Sequence, residues 1–156
     1  MQYHATEEPL KDRRQTSQKI KSLVREFYTD LDLIKIPVGS ALLPLSSLPF
    51  DKYFDYVRNI PYKRDNVPIE KIGRPAWIME KRPLNADCKK KAIMIAAWLE
   101  YHKIPWRLIG SSSRRDLSIH HIFPQAHENG QWINVDATYS EYRIAQQKTV
   151  TAKEIL

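Results

Sequence analysis

Asn129-Gly130 lies between two segments of alternating apolar and polar residues, and it constrains the fold more than any other feature of the chain. Asn-Gly supplies the two positive-φ positions of a tight hairpin turn. Period-two alternation puts successive side chains on opposite faces of a strand. The combination predicts an antiparallel hairpin with strands over 118–126 and 131–137. On the returning strand Trp132, Asn134 and Asp136 share one face, and Ile133 and Val135 take the other. On the first strand His121 and Phe123 oppose His120, Ile122 and Pro124. A two-residue loop sets Phe123 opposite Asp136, with His121 the diagonal neighbour of Asp136. A four-residue loop, 127–130, sets His121 directly opposite Asp136. An odd loop or a bulge would substitute His120. Only an even loop gathers Ile122, Ile133 and Val135 on one apolar face, which favours His121. Pro124 predicts an edge strand or a bulge.

Upstream, residues 1–16 read as a tail carrying the charge cluster Lys11-Asp12-Arg13-Arg14. From Ser17 a helical stripe runs through Ile20, Leu23, Val24, Phe27, Tyr28 and Leu31. Residues 34–50, broken by prolines, read as extended or loop structure. A second helix is predicted over 50–60, with Tyr53, Phe54 and Val57 on one side and Pro61 as its stop. Residues 61–65 read as extended, with Tyr62 near a cleft, and 68–77 as a short helix and turn. A helix capped by Asp87 starts at Cys88 and runs to about His102. After it come a strand over 106–110, a polar loop over 111–116, and, beyond Tyr139, another strand and a terminal helix. Residues 17–156 thus read as one domain, which suits a chain of 156 residues.

The formal net charge of +7 favours acidic partners, or simply solubility. No aromatic-basic nucleic-acid motif accompanies it. A basic, then apolar leader is not visible at the start, and no run reaches the roughly 18 apolar residues of a membrane span. The reading is a protein without a membrane span, cytoplasmic or virion-associated. A single cysteine excludes an intramolecular disulfide and a four-cysteine zinc site. His120, His121 and His127 complete no recognisable ligand spacing, so neither metal nor cofactor is expected.

Cys88 is therefore either a buried small hydrophobe or a reactive thiol. At a helix N-terminus a thiolate meets unsatisfied backbone N–H groups and the positive end of the helix dipole. Lys89, Lys90 and Lys91 add cations, while Asp87 opposes them. A carboxylate beside an imidazole fixes its tautomer and stabilises the imidazolium. Delivered to a helix-terminal thiol, that imidazole makes a thiolate–imidazolium nucleophile. The competing reading is a surface His–Asp pair next to an unrelated cysteine.

The blocks Ala86-Asp87-Cys88, an Ala/Ile-rich helix, Lys103-Ile104-Pro105-Trp106-Arg107, His121-Ile122-Phe123 and Gly130-Gln131-Trp132-Ile133-Asn134-Val135-Asp136-Ala137-Thr138 occur in that order over residues 85–142. Together they resemble the transglutaminase-like, papain-related superfamily, in its small single-domain bacterial or phage form. Ala86, Lys103 and Phe123 stand where that family usually has glycine, glycine and tryptophan. None of these departures removes a catalytic group. The resemblance implies an α+β fold with a Cys-bearing helix packed on a small antiparallel sheet carrying His and Asp. It implies Cys88 as nucleophile, His121 as general base and acid, and Asp136 as the residue that orients His121. The Cys88 backbone N–H would be one oxyanion donor, and Asn85, Trp77 and Tyr62 are candidates for the second. The implied activity is a cysteine-dependent hydrolase of peptide or isopeptide amides, working through a thioester on a peptide or protein substrate. An amine acceptor in place of water would make it a crosslinking transamidase.

A non-catalytic binding or structural module of a larger assembly, such as a virion, is the alternative from another class. The basic segment from Arg13-Arg14 to Arg25 would then be the contact to an assembly or acidic partner, or else a solvated helix face. His120 is read as strand surface, and His4, His102 and His127 as solvated. Ser111-Ser112-Ser113-Arg114-Arg115 either borders the cleft or is surface loop.

Overall fold

The structure is a computed structural model, described for residues 5–6, 13–64, 71–115, 119–150 and 152–156. In chain order the elements are β1 (Ala5–Thr6), α1 (Arg13–Phe27), β2 (Lys35–Val38), β3 (Ala41–Pro44), α2 (Phe50–Arg58), β4 (Ile72–Gly73), α3 (Pro75–Glu80), α4 (Cys88–Tyr101), β5 (Trp106–Ser112), β6 (His121–Glu128), β7 (Gln131–Asn134) and β8 (Ala152–Ile155). Short 3-10 turns follow α1 at Tyr28–Asp32 and β3 at Leu45–Ser47. The fold class is α+β: helices pack on a four-stranded antiparallel sheet of order β7-β6-β5-β8, with the small ladders β1-β4 and β2-β3 beside it.

Helix α4 is the centre of the molecule. It packs against α1, α2, α3 and β6, so Ala92 through Leu99 are all buried. A helix covered on every side needs no polar face, and the run Ala92-Ile93-Met94-Ile95-Ala96-Ala97-Trp98-Leu99 has none. Burying a side chain such as Ile93 contributes about 1.5–3 kcal/mol, and truncating it to alanine would cost about 2–5 kcal/mol. Two side-chain bonds fix the helix sideways: Tyr53 Oη donates to Met94 O (2.5 Å) and Trp98 Nε1 to Leu48 O (3.0 Å). Desolvation in this position pushes the Tyr53 phenol well above its ordinary range.

The hairpin forms with the two-residue turn: Glu128 pairs with Gln131, and Asn129 and Gly130 take φ of 51° and 77°. Strand β7 ends at Asn134, three residues before the expected boundary. Pro124 gives the reason. It occupies an interior strand, contrary to the expected edge or bulge, paired with Leu108 of β5. Its carbonyl accepts from Val135 N (3.0 Å), so its missing N–H falls on the β7 side, one pair beyond the last rung, Gln125–Asn134. The ladder stops where its donor runs out.

Residues 34–50, read as extended or loop structure, carry the β2-β3 hairpin. Three other expectations need correction. The first helix starts at Arg13, so residues 13–16 form its opening turn, with Thr16 buried. Ser111 and Ser112 belong to β5, because Ser111 pairs with His121 and Lys153, and Ser112 with Ala152. The chain end is a strand on β5, not a helix: alternation over 152–155 lets it pair with Ile109–Ser112. The expectations for 65, 68–70 and 116–118, and for His4, fall outside the described residues.

Candidate active site

Asp87 is the N-cap of α4: it has extended backbone angles, and its Oδ1 accepts from Lys90 N at 3.0 Å. Such a cap satisfies one of the helix's open N–H groups and starts the helix at the next residue, Cys88. The approach to the cap is stitched to the chain leaving α2. Ala86 N donates to Pro61 O (3.0 Å), Lys63 N donates to Ala86 O (3.3 Å), and Tyr62 bridges to Ala86 in parallel. Tyr62 is thereby brought beside Cys88. Cys88 is 9% exposed and lines a cleft of about 450 Å³.

The β6 face supplies the imidazole. His121 Nε2 lies 2.6 Å from Asp136 Oδ2, the diagonal pairing of the two-residue turn. The ring stacks on Phe123, with centroids 5.6 Å apart, and lines the same cleft as Cys88. Since Asp136 occupies Nε2, Nδ1 is the nitrogen left for the sulfur. Burial pulls the His121 imidazolium down, but the hydrogen bonds and charges of Asp136 and Cys88 outweigh it and raise the group to about 9. Burial likewise works against the Asp136 carboxylate, and His121 and Lys148 together bring it down to about 2.

Asp136 is 3% exposed and uses both oxygens. Oδ1 accepts from Thr138 N (3.0 Å) and Thr138 Oγ1 (2.5 Å) in a tight turn. Oδ2 accepts from His121 and from Lys148 Nζ at 2.8 Å. The turn is anchored in turn by Lys91 of α4, buried to 1% exposure. Its ammonium donates to Thr138 O (2.8 Å), Ile60 O (2.6 Å) and Arg58 O (3.2 Å). One helix therefore carries the thiol and, one turn later, the cation that holds the Asp136 turn and the end of α2 in place. Desolvation lowers Lys91 to about 8, against the attraction of Asp136 and Glu141.

Among the oxyanion candidates, Tyr62 lines the cleft. Trp77 packs its ring on Gly73, where an added Cβ would come within 2.6 Å of the indole. Asn85 Nδ2 donates to Pro83 O at 3.1 Å. His120, expected on the surface, also lines the cleft, with Nε2 3.2 Å from Ser113 Oγ. Ser111 and Ser113 line it as well. Sequence reasoning missed Tyr139, Tyr142 and Lys148. The Tyr62 and Tyr139 rings are 4.9 Å apart, and Tyr139 meets Tyr142 edge-on at 5.2 Å, which makes an aromatic wall. Burial, with Tyr62, raises the Tyr139 phenol to about 12. The three-residue steps from Asp136 to Tyr139 to Tyr142 were visible in the sequence, but nothing there marked them as cleft residues.

Among the described residues no group of three or more His, Cys, Asp or Glu side chains could hold a metal ion, and no helix is long and apolar enough to cross a membrane. No family model matches the chain, and no curated protein sequence does. Among solved structures, a protein from Cytophaga hutchinsonii, named a "Putative Cysteine Protease", is similar at 17% identity over 91% of this chain, with a TM-score of 0.43. The chain spans 50% of that protein's length. A likeness at that level carries no argument about this chain, and the site stands on its own geometry.

Proposed function

We propose that residues 13–156, from the start of α1 onward, form a single transglutaminase-like domain that hydrolyses peptide or isopeptide amides through a thioester on Cys88. The observation that carries this reading is one imidazole, His121, held at 2.6 Å by the buried Asp136 carboxylate and lining the same open cleft as Cys88 at the N-terminus of α4. A buried structural cysteine would have no use for such a partner.

In this mechanism His121 holds the thiol proton, leaving Cys88 as thiolate. The sulfur attacks the amide carbon, and the carbonyl electrons move onto oxygen. The Cys88 backbone N–H at the start of α4 is the donor we assign to that oxyanion, and the Tyr62 hydroxyl at the cleft wall is the side-chain donor we assign beside it. On collapse the C–N bond breaks, and the imidazolium gives its proton to the leaving amine. Neutral His121 then takes a proton from water as the water attacks the thioester, which releases the acid and restores the thiol. Asp136 keeps Nε2 protonated throughout. Water is the acceptor we favour, since the cleft wall is largely polar.

The test is the pH dependence of Cys88 alkylation by iodoacetamide. Alkylation should remain fast well below pH ~8.5, where a free thiol is mostly protonated. His121→Ala should move the profile to that of an ordinary thiol. An ordinary profile in the wild type would sink the proposal. A panel of peptide amides with and without an added primary amine would then separate hydrolysis from transamidation.

A further inference from the structure

Two cations share one carboxylate oxygen. His121 Nε2 and Lys148 Nζ approach Asp136 Oδ2 at 2.6 and 2.8 Å. Lys148 belongs to the segment Gln146–Val150, every residue of which lines the cleft. That segment is tied upstream, where Ala145 N donates to Asn134 O (2.8 Å) and Asn134 Nδ2 to Gln146 O (2.9 Å). Downstream it runs into β8, which pairs with β5. Between these ties Lys148 is only 13% exposed, its ammonium 3.9 Å from the Tyr142 ring centroid and 5.1 Å from that of Phe123. Phe123 is also the ring on which His121 stacks. Ammonium and imidazole thus converge on the same oxygen and the same aromatic ring.

We propose that Lys148 is a positioning residue of this site: it pins the 146–150 segment along the cleft and, by sharing Asp136 with His121, limits how tightly the imidazolium proton is held. The inference rests on the thiol-hydrolase reading. A carboxylate facing an imidazolium alone would retain that proton strongly, and an enzyme whose histidine stays protonated stalls at the thioester, because water then lacks its base. A second cation on the same oxygen offsets part of the attraction and repels the imidazolium. The other charged or titratable groups around His121 are Cys88 and Lys91 from α4, Tyr62 and Arg64 from the chain after α2, and Tyr139, Glu141 and Tyr142 from the chain after β7, with His120 as its neighbour. Among the described residues only Lys148 places a full positive charge directly on the Asp136 carboxylate besides His121.

The experiment is the rate of Cys88 alkylation by iodoacetate across pH ~5–11 in the full chain, each rate normalised to its value at neutral pH. An anionic reagent reports the imidazolium, so its rate falls when His121 loses its proton. In Lys148→Met and Lys148→Gln this alkaline limb should move up by about 0.5–1 pH unit, which is roughly a 3- to 10-fold higher normalised rate at about pH 11, well above the wild-type midpoint. Lys148→Arg, which keeps the charge, should retain the wild-type limb. A merely structural tether would lower the rates at every pH and leave the limb in place. Circular dichroism confirms that each variant is folded, and Gln, a polar replacement of similar length, guards against collapse of the Met variant. A limb that stays or moves down in folded Met or Gln variants overturns the inference while leaving the thiol-hydrolase reading intact. No imidazolium-dependent limb in the wild type overturns both.

Discussion

Two buried aspartates, Asp30 and Asp136, use the same residue type for different ends. Asp30, 2% exposed, takes a bidentate fork from Arg74, with Nε to Oδ2 at 2.8 Å and a terminal nitrogen to Oδ1 at 2.6 Å. It also accepts from Ala76 N at 3.0 Å, at the start of α3. Its cation never titrates in the working range, and Arg74 is itself packed 4.1 Å from the Phe27 ring centroid. Asp136 is as deeply buried, but its partners are an imidazole and an ammonium at the edge of a cleft. The fork locks two elements together. The shared carboxylate instead steadies an imidazole that can gain and lose a proton at its other nitrogen. Burial is common to both, so what separates a structural carboxylate from a chemical one is whether its partner can change charge within reach of solvent.

The largest effect that tests this contrast is on reactivity. Asp136→Asn should lower low-pH alkylation of Cys88 by about a thousandfold or more, since the imidazole loses its orienting charge. Asp30→Ala should leave alkylation per folded molecule within about twofold, yet cost about 3–5 kcal/mol in urea unfolding, because Arg74 is left without its carboxylate. If the Asp30 variant instead lost reactivity at unchanged stability, the contrast would collapse.

A smaller effect is the pH dependence of stability. His121 is raised from 6.5 to about 9 in the folded state, so its stabilisation is complete below about pH 6.5 and is lost as pH rises through about 9. Asp136 is lowered from 3.8 to about 2, so the same interaction, counted once, is complete above about pH 4 and is lost as pH falls through about 2. The stability gap between wild type and His121→Ala should therefore be widest near pH 5–6 and shrink by about 3 kcal/mol by pH ~10. The gap between wild type and Asp30→Ala should stay flat over the same alkaline range, because arginine keeps its charge. Denaturant titrations at three pH values distinguish the two slopes. The smallest change expected is Lys91→Met, about 1 kcal/mol: three carbonyls lose a donor, but the cost of burying an ammonium disappears as well. Its alkylation profile should broaden as the Thr138 turn loosens, and a profile identical to wild type would remove Lys91 from the support of Asp136.

Much of the hairpin was legible because local rules governed it. Asn129-Gly130 admits the turn, and the alternation on both sides leaves only even loops with an apolar face, either of which puts His121 and Asp136 on the same face. Asp87 could be recognised as a cap because capping is settled within four residues. The limits appeared where a partner lies far along the chain. Arg74 reaches Asp30 across 44 positions, and Lys91 reaches Arg58 O across 33 and Thr138 O across 47. In the sequence Lys91 is one of three consecutive lysines, with nothing to show that it turns inward onto three carbonyls while Lys90, also buried, lies over the Trp77 ring. Pro124 misled for the same reason: its missing donor is a local fact, but which neighbouring strand that gap faces depends on the sheet.

The sequence alone determined the helix that begins at Cys88, the turn at Asn129-Gly130 and the face shared by His121 and Asp136, because each follows from backbone geometry within a few residues. Only the tertiary structure decided that the thiol and that imidazole line one cleft, that Tyr62, Tyr139 and Tyr142 wall it, that the last strand closes on β5, and that Lys148 shares Asp136. Those contacts join segments whose separation in the chain carries no local preference. They form because burying α4 against the sheet leaves one arrangement in which the polar groups at its N-terminus, and the Lys91 ammonium one turn on, find partners.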